Sequence, residues 1–377
     1  MSTTPHQVYL IPGFFGFANL GTLRYFTHVR EFLGPLFVQR GLEVIVHDVP
    51  TRPTASIIER ARRLGEIIAE CDAGGGPIHL IGHSTGGLDA RLFTTPDADI
   101  GAPAEVQALA SRVRSIVTIA TPHFGAPLAA SFVGFAGDKV LRLLSLATVD
   151  LVRNRRMSFA AMQGFVRVLN RLDSAAGVAE GLFDQIEAEL LDDFSSERRA
   201  ALAAFFDDVG RDRSLIRQLT PEGTELLRSM LRDRPDIRRA SVVTRGRRPG
   251  LWDAAELGLD APGQVLHAVY RWLERRAGFE PGEPLPRGAD GPETGALLAR
   301  LFGELPPPTA NDGIVPTRSQ PWGEVIHAAW ADHLDVIGHF RGPSHDPPHV
   351  DWLPSGSRFT RQGFESLWTD VADFIAA

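Results

Sequence analysis

The segment PIHLIGHSTGGLDARLF (Pro77 to Phe93) constrains the fold more than any other part of the chain. A short apolar run enters a Gly-His-Ser-Thr-Gly-Gly turn, and helical spacing begins immediately afterwards. Similar apolar runs stand at QVYLIPG (Gln7 to Gly13), LEVIVHDVP (Leu42 to Pro50) and VRSIVTIA (Val113 to Ala120). Helical stretches separate them: FTHVREFLGPLFVQRG before the second run, then TASIIERARRLGEIIAEC with apolar residues at Ile57, Ile58, Ala61, Leu64 and Ile68. The strands are continuously apolar instead of alternating. That pattern predicts a mostly parallel central sheet covered by helices on both faces, an α/β fold.

After TPHFGAP (Thr121 to Pro127) the pattern changes. From Leu128 to Asp236 only helical periodicity is found, and strands return with RRASVVTRG (Arg238 to Gly246) and GEVIHAAW (Gly323 to Trp330). The expected organisation is therefore a core of residues 1–127 and 237–377, interrupted by a helical cap at 128–236. EPGEPLPRGADGPE and LPPPT read as surface loops. RQGFESLWTDVADFIA reads as a closing helix.

Composition narrows the function classes. The 377 residues carry a net charge of −7, which argues against a dedicated nucleic-acid binder. Two basic clusters, Arg153 to Arg156 and Arg245 to Arg248, read as solvated helix or loop faces, not phosphate sites. Cys71 is the only cysteine, so no intrachain disulfide forms. The amino terminus has no basic region followed by a long apolar run, and no stretch approaches a membrane span. The expectation is a cytoplasmic protein, with leaderless export as the alternative.

Gly82-His83-Ser84-Thr85-Gly86 fits the Gly-x-Ser-x-Gly nucleophile elbow, with the strand before it and the helix after it that such a turn requires. The turn lifts Ser84 Oγ above the carboxyl end of the sheet, and the helix beyond it aims its first N–H groups at a developing oxyanion. LIGHSTGG resembles the α/β-hydrolase superfamily and, within it, the bacterial triacylglycerol lipases with their Gly-His-Ser-x-Gly-Gly elbow. YLIPGFFGF is similar to the family's first strand and oxyanion loop, TPHFGAP to the turn leading into the lid, and NDGIVP and ADHLD to its acid and histidine segments. LTPEG is a weaker echo in the cap.

The resemblance implies a triad in the chain order Ser, acid, His. Ser84 is the expected nucleophile and His333, directly after the last strand, the expected base. Asp312, in the turn TANDGIVP, is the expected orienting acid. Asp332 and Asp335 are the competing acids, too close to His333 in sequence to reach back to its Nδ1 easily. Of the other histidines, His327 reads as packing within the last strand. His339, His345 and His349 lie in or near a Pro-rich loop, and His123 reads as structural. The backbone N–H groups of Phe14 and Thr85 are the expected oxyanion hole. The family usually has His before the first-strand glycine, and this chain has Pro12 there. Phe14, Phe15 and Phe17 either wall an acyl pocket or belong to the core.

These residues together imply a serine carboxylic-ester hydrolase acting on an apolar acyl ester, with acyl transfer or thioester hydrolysis by the same triad as the alternative. A non-catalytic protein on this fold and a dehalogenase are the weaker readings, since all triad members are present and the nucleophile is serine. No cofactor is required. The resemblance also raises a structural calcium held by Asp335, two positions after the histidine, and Asp290. Two aspartates fall short of the six or more oxygens that calcium takes.

Overall fold

The computed structural model describes residues 4–14, 25–52, 54–71, 75–133, 212, 214–250, 258, 260–289, 291–342 and 349–377. In chain order these form β1 (His6–Ile11), α1 (Val29–Gln39), β2 (Val44–Asp48), α2 (Ile57–Cys71), β3 (Ile78–His83), α3 (Gly86–Thr94) and α4 (Ala104–Ala108). Next come β4 (Val113–Ile119), α5 (Ser214–Gln218), α6 (Pro221–Met230), β5 (Arg238–Arg245), α7 (Ala261–Ala277), α8 (Pro292–Phe302), β6 (Glu324–Trp330) and α9 (Arg361–Ala376). Each of the six strands lies within one residue or two of the apolar run that predicts it.

The strands form one sheet in the order β2-β1-β3-β4-β5-β6, and every pair is parallel. The period-2 geometry of a strand explains the two cores. Val8 and Leu10 of β1 face one side with Ile81, Val117 and Val242, where Leu33 of α1, Tyr270 of α7 and Trp368 of α9 pack. Tyr9 and Ile11 face the other side with Leu80 and Ile116, against Leu64 of α2 and Leu88 of α3. Such burial on both faces is why the strands lack polar alternation.

Sheet order also fixes where a site can form. The chain passes from β1 to β2 on one side, then crosses back to β3 on the other. The carboxyl ends of β1 and β3 therefore flank a topological switch point, the place where open α/β sheets leave a crevice. Gly13 comes after one of these strands and Ser84 after the other.

Three helices, α4, α7 and α8, fill stretches to which the strand-and-helix pattern assigns no element. The last starts at Pro292, inside the stretch that reads as a surface loop. Proline at the first helical turn lacks an N–H that would be unpaired there anyway, so it starts a helix well. Of the expected cap, residues 128–133, 212 and 214–236 are described, with α5 and α6 among them. Residues 134–211, including the Arg153 to Arg156 cluster, lie outside the described residues. Among the described residues, no helix is long and apolar enough to cross a membrane.

Candidate active site

Ser84 is the first residue beyond β3, and its backbone is left-handed, with φ at 55°. For a non-glycine residue this conformation costs on the order of 1–3 kcal/mol and persists only where the surroundings enforce it. They do so here. The Ser84 N–H donates to the Ile119 carbonyl at 2.8 Å, tying the turn to β4. The neighbouring glycines serve close approach, not positive φ. A Cβ on Gly82 would lie 2.4 Å from Gly87 N, and one on Gly86 would lie 2.3 Å from the Ile11 carbonyl oxygen. Helix α3 can sit this close to β1 and β3 only because those side chains are missing.

Thr85 is the N-cap of α3, so its amide is among those with no partner inside the helix. On the facing side, a Cβ on Gly13 would fall 2.5 Å from Ser84 Cβ. The Gly13-Phe14 segment thus lies directly against the serine. Phe14, Ser84, Thr85 and His333 line one cleft. The rest of its wall is apolar, including Leu128, Phe132, Ile216 and Leu219 from the flanks of the cap and Leu273 from α7. Phe15 and Phe17 lie outside the described residues.

His333 is the third residue beyond β6. Its Nδ1 is 2.9 Å from Asp312 Oδ2, and its own N–H donates to the Asp312 carbonyl at 2.9 Å. The Asp312 carboxylate is fully buried and surrounded by donors. The amides of Ile314 and Val315 reach Oδ1 at 3.0 and 2.8 Å, and the Thr244 hydroxyl reaches Oδ2 at 2.7 Å. Gln320 Nε2 approaches Oδ2 at 3.3 Å. An ionised carboxylate only accepts, so the His333 proton sits on Nδ1, leaving Nε2 able to take one.

Below His333 lies a second chain of hydrogen bonds. His83 Nε2 is 2.9 Å from the His333 carbonyl, which can only accept, so His83 carries its proton on Nε2. Its Nδ1 then accepts from the Tyr25 hydroxyl at 2.7 Å, and Tyr25 accepts from the Gly13 N–H at 2.8 Å. Burial holds the His83 imidazole well below the usual histidine range and pushes the Tyr25 phenol up, so both groups are neutral. This chain joins the serine turn, the histidine turn and the loop after β1.

The loop after β1 has a further brace at Pro12. The Pro12 carbonyl accepts from Arg60 Nη2 at 2.7 Å. That guanidinium is fully buried and also grips both oxygens of Asp89. Burial raises the Asp89 carboxyl to about 6 against the pull of Arg60.

The remaining sequence candidates stand apart. His123 is buried, stacked on Trp322, and bonded to Arg91 and Thr118. His327 pairs with Asp370 on α9. His339 binds the Tyr25 carbonyl and stacks on Trp352, and His349 binds the Gly338 carbonyl. His345 lies outside the described residues. Asp332 and Asp335 turn away from the ring of His333. Asp332 accepts from the amides of Leu334 and Asp335 and from Ser355, and Asp335 from the Asp332 amide and Ser357. Asp290 lies outside the described residues. Among the described residues, no three metal-ligating side chains gather into a cluster that could hold an ion.

Sequence reasoning missed Tyr25, Arg60, Thr244 and Gln320. Tyr25, Arg60 and Thr244 reach the site through contacts distant in sequence, and Gln320 reaches Asp312 from the segment just after its turn; no local motif marks any of them.

No family model matches the chain, and no curated protein matches it. Solved structures do. EstA from Clostridium botulinum aligns with a TM-score of 0.54 at 16% identity, covering 100% of this chain and 88% of its own. Lipase 1 from Pelosinus fermentans aligns with a TM-score of 0.51 at 16% identity, covering 100% of this chain and 99% of its own. With its parallel sheet and strand–turn–helix elbow, the chain has the α/β-hydrolase fold, in the form found in these bacterial lipases and esterases.

Proposed function

We propose that the chain is a serine carboxylic-ester hydrolase that acts on apolar acyl esters through an acyl-enzyme. The observation that carries the reading is one cleft lined by both Ser84 and His333, with His333 Nδ1 2.9 Å from the buried Asp312 carboxylate. Ser84 Oγ attacks the acyl carbonyl while His333 Nε2 takes its proton. Asp312 keeps the imidazole in the required tautomer and stabilises the cation that forms. The amides of Phe14 and Thr85 receive the oxyanion. His333 then returns the proton to the leaving alcohol, activates a water, and the acyl-enzyme hydrolyses. The apolar wall from Leu128, Phe132, Ile216 and Leu219 supports an aliphatic acyl chain over acetate.

The test is hydrolysis of p-nitrophenyl esters from acetate to palmitate by wild type and Ser84→Ala. Wild type should cleave them, with an optimum beyond acetate, and the variant should lose about 10⁴-fold or more in kcat. Equal rates for the two proteins, or no cleavage at any chain length, would sink the reading.

A further inference from the structure

Of the Arg245 to Arg248 cluster, which in sequence reads as a solvated helix or loop face, Arg247 and Arg248 are exposed but Arg245 is not. Arg245 is the last residue of β5 and only 8% exposed. It lines a cleft of about 460 Å³ together with Arg247, Arg248, Glu274, Asn311 and Trp330. This volume is in the range of small-molecule sites. None of its lining residues lines the apolar cleft of Ser84. The turn that carries Asp312 separates the two: Asn311 faces the arginines, and Ile314 and Val315 face the serine.

Arg245 is held firmly yet incompletely satisfied. Its Nη2 donates to Glu304 at 2.7 Å, and its guanidinium lies 4.6 Å from the centre of the Trp330 ring. The other terminal nitrogen, Nη1, is buried and has no hydrogen-bond partner among the described residues. A buried, charged N–H without an acceptor is costly, and such groups are rare unless a ligand completes them. Arg247 also approaches the Trp330 ring, at 5.7 Å, and the exposed Arg248 is anchored to the Thr309 hydroxyl at 2.9 Å. The backbone below is fixed. The Gly246 N–H donates to the Asn311 carbonyl at 2.8 Å, and a Cβ on Gly246 would strike the Tyr270 hydroxyl at 2.5 Å.

We infer that this cleft is a binding site for a phosphate-bearing anion, gripped by Arg245, Arg247 and Arg248 beside Trp330. Arg245, Arg247, Arg248 and Arg358 line the cleft against one lining carboxylate, Glu274, and with Glu304 set against Arg245 the remaining positive charge still suits a dianion. A phosphoryl group also has enough acceptor oxygens to engage several planar guanidinium forks at once, which one carboxylate lacks. Trp330, 38% exposed, offers an apolar wall to whatever carries the phosphate.

The site is tested by binding alone, so its failure is distinct from failure of the hydrolase reading. Inorganic pyrophosphate is titrated calorimetrically into the full chain at low ionic strength. In parallel, the protein is sedimented with phosphatidylcholine vesicles that contain or lack phosphatidic acid. Wild type should bind at least one of the two phosphate probes saturably. Arg245→Gln, and the exposed pair Arg247→Gln with Arg248→Gln, should each weaken that binding about tenfold or more. Glu274→Gln should tighten it, an effect of opposite sign that misfolding does not produce. Ser84→Ala should bind like wild type. Pyrophosphate binding identifies a soluble ligand. Binding confined to phosphatidic acid vesicles, and lost in the arginine variants, identifies a lipid headgroup. The inference is overturned if neither probe binds or if binding ignores all four substitutions. It is equally overturned if citrate binds as tightly through the same arginines.

Discussion

Asp312 and Asp332 are both buried carboxylates near one imidazole, and they are used in opposite ways. Asp332 is the chain neighbour of His333, yet its oxygens serve the Leu334 and Asp335 amides and Ser355. Asp312 lies 21 residues before His333 and holds its Nδ1. An aspartate beside a turn satisfies the turn's own amides first, because those donors lie within reach of its short side chain. Orienting a histidine requires an acid on another segment, whose own backbone bonds hold it facing the ring. The Asn311 to Val315 turn provides this: two of its amides fix Oδ1, and Oδ2 meets the imidazole together with the Thr244 hydroxyl.

The division between the two aspartates is challenged hardest by Asp312→Asn. The amide would donate where the carboxylate accepts, favouring the wrong tautomer of His333. In the proposed mechanism kcat should fall about 10⁴-fold, while the melting temperature changes far less than the rate. Activity near wild type would show that Asp312 is not the orienting group. A smaller effect should come from the other side of the ring. Tyr25→Phe leaves the Gly13 N–H and His83 Nδ1 without their shared partner, at a cost of about 1–3 kcal/mol in stability. The loop carrying Phe14 and the turn carrying His333 would both loosen. The expected signature is a kcat reduced about 10–100-fold with little change in KM, because loose donors serve the transition state worst. A KM effect alone would make Tyr25 part of the substrate wall only.

The same contrast separates what is legible in the sequence from what is not. All six strands are legible: burial on both faces writes continuous apolar runs such as Val8 to Ile11 in the inner strands, and the partly exposed edge strands β2 and β6 still carry apolar runs. Ser84, Asp312 and His333 are legible as candidates because each sits at a strand end or in a turn with its own local signal, and the chain order ranks them. The braces are not. Tyr25 meets His83 across 58 residues, and Arg60 meets Asp89 across 29. Such pairs exist only once β1, β3 and α2 are assembled. Helix α8 is hidden for a local reason, since the prolines and glycines around Pro292 carry the composition of a loop. Arg245, in the Arg245 to Arg248 cluster, misleads for a related one. Strand alternation turns the Thr244 side chain towards Asp312 and that of Arg245 into a cleft, and charge counting cannot see which way a side chain points.

The smallest effect belongs to Asp332. Burial pushes its carboxyl up to about 6 from 3.8, and Asp312 adds to the rise, against the hydrogen bonds from Ser355 and the turn amides. Between about pH 4 and pH 6 the folded protein holds a proton that the unfolded chain has released. Stability therefore falls as pH rises through that window, and the loss is complete above it. Asp335 and Asp351 shift in the same direction. In Asp332→Asn the side-chain oxygen still accepts from the Leu334 and Asp335 amides, and no charge forms. The variant should therefore lose on the order of 2 kcal/mol less than wild type between pH 4 and pH 7. Asp89 keeps its share of the slope in both proteins, since burial raises it to about 6 as well. Denaturant unfolding at a series of pH values measures the difference. If the two slopes coincide, Asp332 is not the strained member of the pair, and the division of labour between the two carboxylates has to be drawn elsewhere. If they differ while kcat stays near wild type, one aspartate orients the ring and the other only shapes the turn.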